Sequence, residues 1–332
     1  MATLRAGLIG LGMMGRHHGR VLAGLPGVEL VAVADVSGED PHGVAKGRPL
    51  CSSVEELIEH KLDYCMVAVP TIFHEPVATA LAAAGVHAMI EKPLAQDTPA
   101  AQRIAAAFEQ AGLVGAVGHI ERFNPALQQA RSRMEDGDLG DVYQIVTRRQ
   151  GPFPARIADV GVVKDLATHD IDLTSWVRQQ PFASVAARTA FRSGRKYEDL
   201  VSITGQLADG TVTSHLVNWL SPFKERVTII TGEKGAFVAD TLTADLTFHA
   251  NGSVPTTWTD IARFRGVSEG DVVRYAISKR EPLQVEHENF RDAVLGKESD
   301  IVTLAQGLAT VRVAEAAIES SRTGRTIDLP SV

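Results

Sequence analysis

The segment that most restricts the fold is Gly10-Leu11-Gly12-Met13-Met14-Gly15, set between an apolar run at 4–9 and a helical pattern ending near Leu22. A G-x-G-x-x-G hexad in that setting has a mechanical reading. The first glycine permits a tight turn, the second lets a phosphate approach the backbone, and the third lets helix and strand pack closely. The N–H groups that open a helix have no partner within it, so those around Met13 and Met14 are open to a pyrophosphate. Asp35 closes a second strand at 29–34, twenty residues beyond Gly15. A carboxylate there accepts hydrogen bonds from ribose hydroxyls and repels a 2′-phosphate. The following Val36-Ser37-Gly38 brings no arginine. NAD is therefore expected over NADP.

The rest of the first 120 residues keeps the same rhythm. Strand-like runs at 63–69, 87–90 and 113–117 alternate with helical patterns at 75–84 and 98–111. Ser52 and Ser53, three residues before Glu55 and Glu56, form a capping-box signal for a further short helix. Thr98-Pro99 supplies a capping residue followed by Pro at a helix start. Such β-α-β alternation predicts an α/β fold with a doubly wound parallel sheet of the Rossmann kind. Near Glu121 the rhythm changes. A helix after Asn124-Pro125 ends by Gly137. Strands at 142–149, 184–191, 200–207, 212–219 and 227–231 then dominate, with Asp209-Gly210 and Asn251-Gly252 as hairpin signals. Helices are expected at 162–177, 284–294 and 303–321. The chain of 332 residues thus reads as two domains, 1–120 and 121–332. The second is α+β, with a large, mainly antiparallel open sheet and helices on one face.

Composition removes several classes of function. With 33 basic and 40 acidic residues the formal charge is −7, which disfavours general nucleic-acid binding. No run of about 18 apolar residues suggests a membrane span. Glycines interrupt the apolar start, which therefore lacks the pattern of a signal peptide. Two cysteines, Cys51 and Cys65, read as reduced thiols, and the cytoplasm is the expected compartment. His17-His18 falls in the dinucleotide helix, where solvent or phosphate is the expected neighbour. No metal site is expected.

Chemistry-bearing residues gather at strand ends. Val69-Pro70-Thr71 follows one strand, so Pro70 and Thr71 are placed to line a cofactor groove. His74 either joins them or caps the next helix. Glu91-Lys92-Pro93 follows another strand, with Lys92 directed at the nicotinamide side, where an ammonium stabilises a developing alkoxide. Asp165 and His169, four apart at a helix start, share a face, and Asp172 lies near it. A carboxylate beside an imidazole raises its basicity and fixes its orientation, so His169 suits proton abstraction from a hydroxyl.

In this order the glycine loop, Glu91-Lys92-Pro93 and the Asp165…His169 pair resemble the glucose–fructose oxidoreductase/inositol dehydrogenase (Gfo/Idh/MocA) family over nearly the whole chain, including Gly324-Arg325-Thr326-Ile327-Asp328-Leu329. The resemblance implies an NAD(P)-dependent oxidoreductase acting on a sugar CH–OH, with Lys92 and His169 as catalytic pair and Asp165 as supporting acid. Gly10, Gly12, Met13, Met14, Gly15, Asp35, Pro70, Thr71, His74 and Glu91 would serve the cofactor. It also implies a homodimer or homotetramer joined through the open sheet face. The segments 119–125, 151–156 and 218–224 resemble sugar 3-dehydrogenases acting on UDP-N-acetylglucosamine. On that likeness Arg122, Asn124, Arg156, Asn218, Trp219, Lys224 and Arg226 would surround the sugar and its diphosphate. The acidic balance keeps an aminoglycoside intermediate open as substrate, with Asp141, Asp159 and Asp172 against ammonium groups. A keto-sugar reductase and an NAD(H)-binding regulatory protein are the remaining alternatives.

Overall fold

The computed structural model describes residues 3–154, 160–252 and 269–330. The chain divides into two compact units, one of Met1–Ile120 with Glu281–Glu315 and one of Glu121–Arg280 with Ala316–Val332.

The first unit is built on six parallel strands: β1 (Leu4–Ile9), β2 (Val28–Ala34), β3 (Leu50–Cys51), β4 (Tyr64–Val67), β5 (His87–Glu91) and β6 (Gly115–Gly118). Their order, β3-β2-β1-β4-β5-β6, is that of a doubly wound dinucleotide fold, and it reverses between β1 and β4. Both sheet faces are covered, which is why the strands read as near-continuous apolar runs rather than alternating ones. On one face Leu57, Leu81, Ile104 and Phe108 pack against Cys65, Val67, Ala88 and Ile90. These four come from α2 (Val54–Ile58), α3 (His74–Ala83) and α4 (Thr98–Ala111). On the other face Leu22, from α1 (Met13–Leu22), packs with Leu8, Tyr64 and Met89.

Phe290 belongs to that second cluster, and its ring meets Tyr64 edge-on at 5.4 Å. Phe290 lies on α7 (Pro282–Val294), and Leu304 and Val311 of α8 (Leu304–Thr323) join the opposite cluster. The first unit's N-terminal stretch ends at Ile120. The second unit is not the continuous stretch 121–332 expected from the sequence, because burial of these apolar side chains returns Glu281–Glu315 to the first unit. Capping also differs in detail. Asp97, not Thr98, caps α4, its carboxylate accepting from Ala100 N at 2.8 Å, while Thr98 donates to Glu315 at 2.6 Å. Ahead of α2, Ser53 accepts from Glu56 N, and the Glu56 carboxylate accepts from Ser52 N at 2.7 Å.

The second unit holds a nine-stranded sheet. Its members are β7 (Val142–Pro152), β8 (Phe182–Ala190), β9 (Leu200–Leu207), β10 (Val212–Asn218), β11 (Leu220–Gly232), β12 (Gly235–Asp240), β13 (Asp245–Asn251), β14 (Glu269–Arg274) and β15 (Ile327–Asp328). All neighbouring pairs are antiparallel except β10 with β7. Asp209-Gly210 makes the expected hairpin between β9 and β10. Asn251-Gly252 does not make a two-residue turn, since Asn251 pairs with Glu269. Helices α5 (Pro125–Glu135) and α6 (Thr168–Arg178) cover one face, where Leu127, Leu173 and Trp176 meet Ile145, Ile230 and Phe237. Val146, Leu216, Val227, Ile229 and Val238 lie on the other face, half-buried or exposed.

A buried histidine in this sheet makes stability pH-dependent. His215 faces Thr147 across the parallel pair, Thr147 Oγ1 and His215 Nδ1 being 2.8 Å apart, and its Nε2 has no partner among the described residues. Burial lowers its pKa from 6.5 to about 4. The unfolded chain therefore binds the extra proton in that interval. Stability from this group is present above pH 6.5 and is lost as pH falls toward 4, by at most roughly 3 kcal/mol. Urea melts at these two ends should show a smaller acid-induced loss in His215→Gln than in the wild type. Equal losses would remove His215 from the account.

Candidate functional site

The glycine loop leaves β1 and opens α1. Gly10 sits at φ 94°, and a Cβ there would strike the Ala68 carbonyl beyond β4. A Cβ on Gly15 would overlap the Gly10 carbonyl oxygen. Gly12, by contrast, has open space where its Cβ would be, and it is the N-cap of α1 with no side-chain cap bond. No acidic residue occupies the first turn. The N–H groups at Met13, Met14 and Gly15 thus face a gap suited to an anion. The residues present fit a dinucleotide pyrophosphate.

Asp35 follows β2 and fixes this loop. Its Oδ2 accepts from Leu11 N at 2.8 Å, and its Oδ1 accepts from Ser37 N at 3.0 Å and from Ser37 Oγ at 2.7 Å. Partial burial works against the charge, but these hydrogen bonds prevail and hold the carboxyl below its ordinary pKa. An ionised carboxylate has further acceptor capacity for ribose hydroxyls.

Pro70 and Thr71 begin a short 3-10 turn after β4, at the sheet edge where the strand order reverses. His74 is not a cofactor-facing residue, nor does it cap α3. It is buried, with Nε2 at 3.0 Å from the Val69 carbonyl and Nδ1 at 3.0 and 3.2 Å from the Pro93 and Leu94 carbonyls. Burial lowers its pKa, so the ring is neutral and carries one hydrogen; with that hydrogen on Nδ1 it donates to the segment carrying Lys92, whose bond to Pro93 is cis. Glu91 also turns inward rather than toward a cofactor. Oε1 meets His18 Nε2 at 2.8 Å, and Oε2 accepts from Lys92 N at 3.0 Å. Burial raises its pKa, yet the His18 bond and the Lys92 charge outweigh that and hold it low. His18 is fully buried, against the solvent or phosphate position expected for it.

In the second unit Asp165 lies in a π-helical turn, Val163–Ala167, and His169 follows in α6. The regular helix expected at 162–177 is thus broken where the candidate acid sits. Thr168 Oγ1 bonds back to the Lys164 carbonyl at 3.0 Å, a type of contact that distorts helices. Wide turns of this kind concentrate at functional sites. Asp165 is buried and His169 half-buried.

The expected sugar-binding residues mostly have structural partners. Arg122 grips Asp172 through two bonds of 2.8 and 2.6 Å, both side chains buried, so each offsets the other's charge. Asn124 caps α5, accepting from Ala126 N at 3.0 Å and donating to the Thr241 carbonyl at 2.9 Å. Asn218 Oδ1 accepts from Leu220 N and Ser221 N, each at 3.0 Å, and its amide donates to Gln150. Trp219 is only 4% exposed, so it offers no open face to a pyranose. It packs edge-on against Phe153, over which Arg195 lies at 3.1 Å. Its indole N–H is buried with no partner among the described residues. Lys224 is exposed, and Arg226 donates to the Gln150 and Glu225 carbonyls. Asp141 is exposed, while Arg156 and Asp159 lie outside the described residues.

Two features escaped the sequence reading. One is the buried Arg149, which bonds Asp170 and Glu121 at 2.9 Å each. The other is contact of His18 Nδ1 with His287 Nε2 at 2.8 Å. A signal for the second existed: His18 falls on the buried stripe Gly15, His18, Leu22 of α1. Among the described residues no group of three His, Cys, Asp or Glu is placed to hold a metal, and no helix is long and apolar enough to cross a membrane.

Residues 4–119 match the model of the Gfo/Idh/MocA oxidoreductase family, NAD-binding Rossmann fold, and residues 127–238 match that of the Gfo/Idh/MocA C-terminal domain. The chain is similar to UDP-N-acetylglucosamine 3-dehydrogenase of Acidithiobacillus ferrooxidans, 35% identical over 176 residues, covering 52% of this chain and 54% of that one. It is also similar to inositol 2-dehydrogenase 2 of Saccharopolyspora erythraea, 30% identical and covering 58% and 59%. The matches thus span about half the length of these relatives. The solved structure of the Acidithiobacillus ferrooxidans enzyme superposes with a TM-score of 0.84 at 25% identity, over 97% of this chain and 99% of that one.

The two glycines should separate folding from binding. Gly15→Ala should lower the melting temperature and abolish NADH binding. Gly12→Ala should melt within a few degrees of the wild type yet weaken NADH binding by at least about tenfold, read by fluorescence titration. Unweakened binding in Gly12→Ala would place the pyrophosphate elsewhere.

Proposed function

The chain belongs to the Gfo/Idh/MocA oxidoreductase family, and we propose that it is an NAD-dependent dehydrogenase that oxidises a secondary hydroxyl of a sugar or polyol to a ketone. The observation that carries the reading is the glycine loop tied to Asp35, on the same sheet edge as Lys92. Bound NAD supplies the hydride acceptor. The Lys92 ammonium hydrogen-bonds the reacting oxygen and stabilises alkoxide character. His169 takes the hydroxyl proton, and Asp165 orients the imidazole. One hydride and one proton leave the carbinol as the ketone forms.

For the substrate we propose a UDP-amino sugar such as UDP-N-acetylglucosamine, oxidised at C3. Likeness to the Acidithiobacillus ferrooxidans enzyme supports it. With Arg122 gripping Asp172, recognition of the diphosphate passes chiefly to Lys224 and Arg156. Half-buried and exposed apolar side chains on the open sheet face support the homodimer or homotetramer that the family resemblance implies.

A panel followed at 340 nm tests the substrate. NAD reduction is expected with UDP-N-acetylglucosamine and not with free sugars, inositols or aminoglycosides. Reduction with an aminoglycoside alone would replace the substrate and keep the dehydrogenase. Tight NADH binding without turnover on any member would favour a regulatory protein. His169→Ala should bind NADH normally and lose turnover by at least about 100-fold. Unchanged turnover would remove His169 from the chemistry.

A further inference from the structure

We propose that His18 is a positioning residue for Lys92, acting through Glu91 and held in register by His287. The inference deepens the dehydrogenase reading and rests on it for the role of Lys92. Three buried polar side chains form one line beneath the sheet: His287 Nε2 to His18 Nδ1 at 2.8 Å, and His18 Nε2 to Glu91 Oε1 at 2.8 Å. The remaining Glu91 oxygen accepts the Lys92 N–H at 3.0 Å. The carboxylate is thus pinned at both oxygens, and through it the peptide that sets the direction of the Lys92 side chain.

The hydrogen-bond inventory orders the protons. An ionised Glu91 only accepts, so His18 Nε2 carries a hydrogen. Burial, the largest influence, holds His287 well below its ordinary pKa, hence neutral. Its Nδ1 is buried without a partner among the described residues. A bare acceptor there is less costly than a bare donor, so His287 donates from Nε2 to His18 Nδ1. Every bond then points toward Glu91. The line ends blindly at His287 Nδ1, so it offers no exit for a proton and is not a relay.

Stability does not explain the arrangement. Apolar residues of similar volume are often at least as stable as buried charged networks, while removing one partner leaves a buried charge exposed to nothing. The line instead complements His74, which holds the carbonyls of Pro93 and Leu94 just beyond Lys92. The backbone on both sides of Lys92 is consequently clamped by buried imidazoles, one of them through a carboxylate.

The test compares His18→Leu, which breaks the line, with His18→Gln, whose amide can donate to Glu91 and accept from His287. Lys92 acylation is timed by mass spectrometry on the full chain, with exposed Lys46 and Lys61 as internal standards. His18→Leu should change the Lys92 rate by at least about threefold while the standards hold, and His18→Gln should stay near the wild type. In turnover assays His18→Leu should lower kcat by about tenfold with the KM for NAD within about twofold, and should add nothing in a Lys92→Met background. An unchanged Lys92 rate, or additive losses in the double variant, would overturn the proposal. Should His18→Leu fail to melt cooperatively, His287→Leu is measured in the same way, with a smaller change of the same kind expected and none contradicting it. Labelling needs no substrate, so it decides the role of His18 even if no sugar in the panel is oxidised.

Discussion

One hydrogen bond organises the first unit: Asp35 Oδ2 accepting from Leu11 N at 2.8 Å. It joins the end of β2 to the glycine loop after β1, and the loop in turn rests on the Ala68 carbonyl beyond β4. Three strand ends are thereby locked at the reversal of strand order, where open parallel sheets bind ligands. On the proposed reading the same carboxylate also meets the ribose hydroxyls, so one side chain would serve both the loop and the cofactor.

The second unit relies on buried charge. Arg149 stands between Asp170 and Glu121, and Arg122 between the two oxygens of Asp172. Burial opposes charge at Glu121 and at Asp170. Arg149 overcomes it at Glu121, whose pKa falls, whereas at Asp170 burial wins and the pKa rises. Such clusters are poor sources of stability but good sources of geometry, because the fork of a guanidinium accepts few arrangements. They anchor α6, which carries His169, to β7 and to the 3-10 turn at Ile120–Phe123.

What could be read from the sequence was what local chemistry decides. Glycine turns, caps and apolar runs fixed the parallel sheet, the hairpin at Asp209-Gly210 and the candidate roles of Asp35 and Lys92. What could not be read depends on residues far apart in the chain. Phe290 returns to Tyr64 across most of the sequence. Arg122 finds Asp172 fifty positions on, which turns two expected ligand contacts into a structural pair. Asn124 and Asn218, sugar contacts by resemblance, each accept local backbone N–H groups through Oδ1, the ordinary role of asparagine at helix starts and loops. The π turn at Asp165 is invisible to a spacing rule that assumes a regular helix.

Whether this loop and Asp35 form an NAD site is decided by titrating the protein with NADH and with NADPH under one set of conditions. NADH should bind at least about tenfold more tightly, with the gap closing in Asp35→Ser. Equal affinity in the wild type, or a gap that survives the substitution, would contradict the NAD site.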